Sequence, residues 1–432
     1  MHRLARPMLL ILGFIVPVLI VGGWRAFGAM QRMVQYPVAP PPQFELPAAP
    51  APDGRPVAVL LTSNLGTEVT DLLYPAAVFS ASEAFDVVTV APERRVSPLT
   101  GGIDILPDHS FASFAQAYPD GPALIVVPFF LDATSPALVE WLRDQAAGGS
   151  SEVLSVCEGA RTVGAAGLLA GKQATTHFWA LSSIAKLHPD TRWLLGTRFV
   201  EDEGIISSAG VTSSLDGAVA AVRRLAGDAP AARAMAALGV DELPIEWPPP
   251  EISYGQVGVL LLDGAFLTSP KPIAVAVGDG VDDVQLAALL DTWPRSLLFD
   301  LMTLSDERRF LRSRFGLTLL ARGTEVPAEG AVLVPRAATS PLLAENGVLR
   351  SEGRVHDLAD LSSVDALPWA LRELAASEDQ ATATLVGNMI EAPEIPVVPG
   401  ARAWPWPRLL VLLSIGSIGV AAVAFLTRPR RR

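Results

Sequence analysis

The chain has 432 residues, of which 50% are hydrophobic and 18% are charged, and its formal net charge is −12 at pH 7. This length predicts about two to three domains, and the apolar share is sufficient for large cores. The acidic balance argues against a nucleic-acid-binding surface, and a single cysteine excludes an intrachain disulfide framework.

The chain begins with an apolar segment. Residues 8–24 carry no charge and follow Arg3 and Arg6. At about 1.5 Å per residue this stretch is long enough for a thin bilayer, so we predict a transmembrane helix within residues 1–31. A cleaved signal peptide is the alternative, because the apolar stretch is short. Residues 32–56 are rich in proline and alanine and predict a stiff, extended linker.

Residues 57–240 are predicted to form an α/β domain. Short apolar runs typical of buried parallel strands alternate with stretches of helical character. The predicted strands are 57–62, 85–91, 123–128, 153–156 and 203–208, and the predicted helices are 69–82, 137–147 and 214–225. This alternation predicts a doubly wound parallel sheet between two helical layers, with a functional site at the carboxyl ends of the strands.

A second proline-rich stretch, residues 241–256, separates this domain from a sequence that resembles it. The segment FDVVTVAPERR at 85–95 recurs as FDLMTLSDERR at 299–309, with six of eleven positions identical. Internal similarity of this kind indicates a duplicated structural unit. We therefore predict that residues 257–395 form a second copy of the same fold.

The spacing of the repeats predicts that the second copy is incomplete. ATSP at 133–136 recurs at 338–341, which is 205 residues downstream, whereas 203–226 matches 352–375 at an offset of 149 residues. The second copy therefore lacks 56 residues relative to the first. The missing part covers the only cysteine and a nearby histidine, so we predict a second copy without a functional site.

The chain ends in a second apolar segment, which follows a linker at 396–408. Residues 409–427 predict a transmembrane helix, and the basic tail 428–432 contains four arginines. Arginines accumulate on the cytoplasmic side of membrane helices. Here they lie before the first apolar segment and after the second, at the two ends of the chain. We therefore predict a bacterial inner-membrane protein with two spans and with the domains between them outside the cytoplasm.

The only cysteine, Cys157, lies where the predicted strand 153–156 turns into a stretch of small residues. The free N–H groups that open a helix, together with the helix dipole, favour a thiolate at such a bend. This position is typical of an activated nucleophile or an oxidisable thiol. The alternative is an inert cysteine, because free cysteines are often buried as small apolar residues.

Four motifs around this cysteine resemble the ThiJ/PfpI superfamily of class I glutamine-amidotransferase-like domains: SVCEGA at 155–160, AGLLAG at 166–171, ATTH at 174–177 and SAGVTS at 208–213. The resemblance is greatest to isonitrile hydratases and to the N-terminal halves of AraC-type regulators. It implies a flavodoxin-like αβα sandwich whose reactive cysteine lies in a strained turn. Because ThiJ/PfpI domains commonly pair as dimers, the second copy is expected to supply a partner surface, forming an intrachain pseudo-dimer.

The resemblance also implies roles for individual residues. Cys157 falls on the family's nucleophile and Asp71 on the acidic residue that contacts the thiol, with Glu68 as the fallback for that acid. His177 falls on a histidine that acts as a base or polarises the pocket. Glu158 stands where isonitrile-hydratase-like members commonly carry a hydroxyl residue, which argues against hydratase chemistry. No acidic residue lies two positions after His177, so the glutaminase triad is absent.

The sequence leaves two functional classes open. In the first, the protein is an enzyme that transforms a small molecule at Cys157 by hydratase-, hydrolase- or glyoxalase-like chemistry. In the second, it is a ligand- or redox-sensing module similar to the sensor half of AraC-type regulators. Asp71 could instead cap a helix, Glu158 could complement a helix dipole, and His177 could be structural. We expect no cofactor and no metal, and as partners a small molecule and the membrane but no nucleic acid.

Overall fold

The computed structural model describes residues 2–34, 45–147, 149, 151–242, 244–250, 253–266, 269–336 and 354–428. The described chain begins with helix α1 (His2–Val34), continues through two α/β units and ends in another long helix. The recurrence of ATSP at 338–341, the first two residues of the match at 352–375 and the end of the basic tail lie outside the described residues.

The first unit contains a seven-stranded sheet. The strands of the whole unit, including four that lie outside this sheet, are β1 (Val57–Leu61), β2 (Asp86–Ala91), β3 (Ser97–Leu99), β4 (Ile103–Ile105), β5 (His109–Ser110), β6 (Leu124–Val127), β7 (Glu152–Val156), β8 (Gln173–Ala174), β9 (Arg192–Trp193), β10 (Phe199–Asp202) and β11 (Ile205–Ser208). The sheet order is β10-β11-β7-β6-β1-β2-β5, and all neighbours are parallel except β10 and β11. The five predicted strands are confirmed as β1, β2, β6, β7 and β11.

Helices cover both faces of this sheet. They are α2 (Val69–Ser82), α3 (Phe111–Ala117), α4 (Pro136–Ala146), α5 (Ala160–Ala165), α6 (Phe178–Leu187), α7 (Ser213–Ala226) and α8 (Asp228–Leu238). Successive side chains of β1 point to opposite faces, so that Ala58 and Leu60 share a core with α2, α7 and α8. Val59 and Leu61 share a second core with α3 to α6. The predicted helices correspond to α2, α4 and α7.

The second unit is built on a smaller parallel sheet. Its elements are α9 (Tyr254–Phe266), β12 (Lys271–Ala276), α10 (Asp283–Arg295), β13 (Phe299–Leu304), β14 (Leu311–Arg312), β15 (Thr318–Ala321), β16 (Ala331–Val334), β17 (Val355–Asp357), α11 (Ala366–Ser377) and α12 (Gln380–Met389). The described sheet has the order β13-β12-β16-β17. The first unit contains the corresponding order β2-β1-β6-β7.

The two units pack on each other through corresponding elements. Helix α2 packs on α10, and each is the first helix after the first strand of its unit. The hairpin β3–β4 pairs with β14–β15 to give the antiparallel order β14-β15-β4-β3. One continuous apolar core contains both Leu72 of α2 and Leu286 of α10.

Helix α1 packs against the C-terminal helix α13 (Trp406–Leu426) in the antiparallel direction. Gly13, near the start of α1, faces Val423, near the end of α13, and a Cβ on Gly419 would lie 2.0 Å from the carbonyl oxygen of Gly13. Such close contact through small residues is typical of membrane helix pairs. Two helical segments are long and apolar enough to cross a membrane, namely Arg6–Gln31 and Trp406–Leu426. In each of them, only 6% of the most apolar stretch of 18 residues is buried in the protein.

A buried charge cluster joins the start of α13 to the second unit. Arg408 is 6% exposed, and its Nε lies 2.5 Å from Oδ1 of Asp263 in α9. The Arg408 guanidinium also donates to Glu378 at 3.2 Å and to Asp379. Lys271 pairs with Glu378 from the other side. Burial raises the pKa of Asp263 to about 7. The three carboxyl groups therefore depend on two cations for compensation.

Candidate functional site

Cys157 lies at the carboxyl end of β7, in the interior of the first sheet. A single 3-10 turn, Cys157–Gly159, leads directly from β7 into α5. The φ of Cys157 is +54°, a left-handed conformation that is uncommon for a non-glycine residue. Gly159 makes the sharp turn possible, because a Cβ there would lie 2.0 Å from the carbonyl oxygen of Val127 in β6. The predicted cysteine elbow is present as a strained turn.

Asp71 and Glu68 approach this elbow from the start of α2. The Glu68 carboxylate accepts a hydrogen bond from the backbone N–H of Asp71 at 2.6 Å, so Glu68 caps the helix. Oδ2 of Asp71 accepts from the N–H of Phe129 at 3.1 Å, whereas Oδ1 is buried and has no hydrogen-bond partner in the described part of the chain. Burial raises the pKa of Asp71 to about 7. This carboxyl group therefore exchanges its proton near neutral pH.

His177 lies beside the thiol, immediately before α6. A Cβ on Gly210 would lie 2.6 Å from Cδ2 of His177 and 3.5 Å from the sulfur of Cys157, so the ring and the thiol border the same glycine. Nε2 of His177 lies 2.9 Å from the carbonyl oxygen of Met389 and must donate to it, because a carbonyl only accepts. Burial lowers the pKa of His177 to about 4, so the imidazole is neutral at pH 7.

Burial raises the pKa of the Cys157 thiol well above its usual value, and the charges of Asp71, Glu158 and Glu68 raise it further. The expectation of a stabilised thiolate is therefore wrong for this arrangement. Helix α5, at the start of which the thiol was expected to be ionised, has only six residues. Glu158 forms an ion pair with Arg161, whose Nε donates to Oε2 of Glu158 at 2.7 Å. The resting thiol is thus protonated at neutral pH.

Arg295, at the end of α10 in the second unit, acts in the opposite direction, because its positive charge lowers the pKa of Cys157. Its Nε donates to Oδ1 of Asp291 at 2.7 Å, and its Nη2 lies 3.5 Å from Oε1 of Glu68. No sequence motif marks Arg295, and 227 positions separate it from Glu68. The second unit therefore contributes a cation to the cysteine site.

The turn that follows α12 covers the site with further residues of the second unit. Besides the contact of Met389 with His177, the hydroxyl of Thr212 donates to the carbonyl of Glu391 at 2.6 Å. Glu391 has a φ of +51° and is 3% exposed, and burial raises its pKa to about 7. The sequence contains no motif that indicates this closure.

All the predicted site residues meet at the elbow, namely Cys157, Asp71, His177, Glu68 and Glu158. Together they provide a thiol, a carboxyl group that titrates near pH 7 and a neutral imidazole, which are components of covalent and acid–base catalysis. Within the described ranges, no group of three or more His, Cys, Asp and Glu side chains is placed to hold a metal ion.

The first unit matches known proteins in sequence. A model of the DJ-1/PfpI family matches residues 56–224, and an uncharacterized protein in the cpoL 5′ region of Streptomyces lividans is 33% identical over 128 residues, which are 29% of this chain and 89% of that protein. The chain belongs to the DJ-1/PfpI family. Isonitrile hydratase of Pseudomonas putida is 37% identical over 94 residues, which are 21% of this chain and only 37% of that enzyme.

Two solved structures are similar to part of this chain. Drosophila melanogaster DJ-1beta has a TM-score of 0.39 and 21% identity, and the match covers 44% of this chain and 100% of that one. An AraC family transcriptional regulator from Pseudomonas putida has a TM-score of 0.36 and 21% identity, over 42% of this chain and 98% of that one. The family match and the strand order of the first sheet confirm the flavodoxin-like α/β prediction for this unit.

Proposed function

We propose that this protein is a membrane-anchored DJ-1/PfpI protein whose first unit binds a small molecule and transforms it at Cys157. The main support is that the left-handed cysteine is combined with the buried, unpartnered Oδ1 of Asp71 in the described site. A carboxyl group with a pKa of about 7 is suited to accept a proton and return it near neutral pH. The reaction class is hydratase-, hydrolase- or glyoxalase-like.

The proposed reaction starts from the neutral thiol. Asp71 takes the proton from the sulfur while Sγ of Cys157 forms a bond to an electrophilic carbon. In a carbonyl substrate the π electron pair moves to the oxygen, which then receives the proton from Asp71, whereas in an isonitrile the carbon bonded to the sulfur itself receives that proton. Arg295 favours the negative charge that develops on the sulfur and on the substrate. His177, which is neutral, holds the Met389 turn over the site.

We assign residues 257–395 to a degenerate second copy that takes the place of a partner subunit. The shared order of four strands, the packing of α2 on α10 and the pairing of β4 with β15 support this assignment. Its role is to complete the site of the first copy, because Arg295 and the Met389–Glu391 turn both come from it.

We assign the two chain ends to the bacterial inner membrane as a helical hairpin, with the α/β units outside the cytoplasm. The antiparallel contact of α1 with α13 supports this, because it brings the arginine-rich ends of both helices to the same side. Arginines at that end favour the cytoplasmic face.

A ligand- or redox-sensing function is the second candidate. The support is the covered site, in which Cys157 is 8% exposed and the neighbouring His177 holds the Met389 turn. In this case a ligand or an oxidant would displace the Met389 turn, and the change would pass through the second unit to the membrane helices.

Alkylation of Cys157 by iodoacetamide is expected to be slower than that of free cysteine at about pH 7, because the thiol pKa is raised. The rate should increase about tenfold per pH unit to at least about pH 9. Asp71→Asn should accelerate alkylation above pH 8, because removing this charge lowers the thiol pKa. Mass spectrometry of the intact protein measures the rate, since the chain has one cysteine. Wild-type labelling faster than free cysteine at neutral pH would contradict the raised pKa.

Turnover distinguishes the two candidate functions. We expect the full-length protein in lipid nanodiscs to consume methylglyoxal or cyclohexyl isocyanide, which probe carbonyl and isonitrile chemistry. Cys157→Ser should abolish consumption, and Asp71→Asn should reduce it by about 100-fold or more, although it accelerates alkylation. The sensing function instead predicts no consumption but faster proteolysis at the Met389 turn after treatment with hydrogen peroxide. Consumption that survives in Cys157→Ser would refute the proposed enzyme.

A further inference from the structure

Helix α9 of the second unit packs beside the two helices at the chain ends, on both α1 and α13. Its buried side chains Leu262, Ala265 and Phe266 contact apolar residues of both helices, among them Val18 of α1 and Ile415 of α13. Val18 and Ile415 lie within the two apolar segments that are long enough to cross a membrane. The end of α9 therefore lies beside these segments and not beyond them.

The polarity of α9 is opposite to that of a helix on a water-exposed surface. Its only charged residue, Asp263, is buried and pairs with Arg408. The residues exposed on its outer side are Tyr254, Val257 and Leu261. Their spacing of three and four positions places them on one face of the helix. A surface helix of a soluble protein has its apolar face inward and its charged face towards water. The reversed pattern is expected where the outer face contacts lipid.

Exposed aromatic side chains occur on all three of these helices near their contact. Tyr254 begins α9, and a Cβ on the next residue, Gly255, would lie 3.5 Å from the ring of Trp404. Trp24 of α1 and Trp406 at the start of α13 are also exposed. Tyr and Trp are enriched where a membrane meets water, because their rings are apolar and their O–H or N–H groups reach water. These side chains therefore indicate a membrane interface at this end of the helix pair.

We propose that α9 is a third membrane-contacting helix, which inserts its Tyr254–Leu261 face into the half of the bilayer next to the α/β units without crossing it. At about 1.5 Å per residue its 13 residues extend over about 20 Å, which is too short for a hydrocarbon core of about 30 Å. A short helix with one apolar face lies at the boundary between headgroups and acyl chains. Leu261 then contacts acyl chains and Tyr254 the headgroups.

This inference rests on the membrane placement proposed above, and it adds a lipid-contacting surface on the second unit. The unit that contributes Arg295 and the Met389 turn to the cysteine site is then itself seated on the bilayer. The partner of this surface is the lipid, because the surface is continuous with the two apolar segments and presents no charged side chain of α9.

Fluorescence quenching tests the position of Leu261. The full-length Cys157→Ser protein in nanodiscs receives one new cysteine for a bimane label, by Leu261→Cys, by Ile20→Cys on α1 or by Leu187→Cys at the end of α6. Leu261 and Leu187 are matched, because they are 59% and 64% exposed. A phospholipid with a nitroxide on its acyl chain quenches labels in the bilayer, and iodide quenches labels in water. We expect the labels at residues 261 and 20 to lose more fluorescence to the lipid, and the label at residue 187 to lose more to iodide.

The label at residue 20 separates this inference from the membrane placement itself. If it is quenched by the lipid while the label at residue 261 is quenched by iodide, α9 does not insert and only this inference is overturned. If iodide quenches the labels at both residues, the proposed membrane placement is wrong as well.

Two glutamate variants test the same contact without a label. Leu261→Glu should lower the urea midpoint of the full-length protein in nanodiscs, because a charged side chain is costly in lipid. Leu187→Glu is the matched control and should leave the midpoint close to that of wild type, because an exposed position in water tolerates a charge. Equal urea midpoints in the two variants would overturn the inference.

Discussion

An Arg408→Met variant is expected to lose about 3–5 kcal/mol of unfolding free energy, because it leaves buried carboxylates without their main counter-ion. Arg408 contacts Asp263, Glu378 and Asp379, and each of these acids is at most 3% exposed. Lys271 alone remains as a cation, and it reaches Glu378 only. The loss should concentrate in the contacts of α9, α12 and α13.

The loss should also depend on pH. The pKa of Asp263 is about 7 in the folded protein, whereas the ordinary value for aspartate is 3.8. Between pH 3.8 and about pH 7 the folded protein therefore keeps a proton on Asp263 that the unfolded chain has lost. The unfolding free energy therefore falls as the pH rises through this window. Without Arg408 the charged form of Asp263 is even less favourable. The loss of unfolding free energy in Arg408→Met should therefore be larger at pH 8 than at pH 5.

Urea unfolding of the full chain in nanodiscs, followed by tryptophan fluorescence, measures both effects. Arg402→Met is the matched control, because Arg402 is exposed and donates to the carbonyl of Ser377 at 3.2 Å without contacting an acid in the cluster. We expect this control to change the unfolding free energy by less than about 0.5 kcal/mol. If Arg408→Met loses no more unfolding free energy than the control, or loses the same amount at both pH values, the predicted contribution of the charge cluster to stability is wrong.

Arg295→Met is expected to slow the alkylation of Cys157 at about pH 8, because the loss of this positive charge raises the thiol pKa. The reason is electrostatic, since Arg295 is the cation that opposes the effects of burial and of Asp71 on the thiol. At high pH, where the thiol is ionised in both proteins, the rates should converge. The same iodoacetamide assay over a range of pH values provides this profile.

Two further variants separate electrostatics from folding. Arg295→Lys keeps a positive charge near Asp291 and Glu68 and should remain within about threefold of wild type. Arg309→Met removes a partly exposed arginine that pairs with Asp279 in the second unit, and it should not change the rate. If Arg295→Met is alkylated at the same rate as wild type, the second unit does not influence the reactivity of the thiol.

The sequence predicted those parts of the fold that local patterns determine. Strands β1 and β6 are continuous apolar runs and β7 is mostly apolar, because both faces of the sheet are covered. Helix α2 lies between the first two strands in the sequence, as predicted. Cys157 was predictable because it directly follows such a run and precedes small residues. The short strands β3 and β4, of three residues each, have too few positions to produce a pattern.

The parts contributed by the second unit were not predictable in the same way. Arg295 and Glu391 reach the site only because α10 packs on α2 and because a turn after α12 folds back onto the first unit. Such contacts depend on the docking of two units and not on neighbouring residues. The protonation of Cys157 was not predictable from the local pattern either, since it depends mainly on the burial of the thiol and then on the charges of Asp71, Glu158 and Glu68.

The antiparallel crossing of α1 and α13 also limits how the rest of the protein can move. A domain on a single helix can rotate about its stalk, whereas the chain between Gln31 and Trp406 is held at both ends by one pair of helices. Phe266 packs near Gly22 and Asp263 pairs with Arg408, so α9 is attached to the same pair. In a bilayer, the cysteine site would therefore keep a constant height above the lipid surface and a constant orientation towards it.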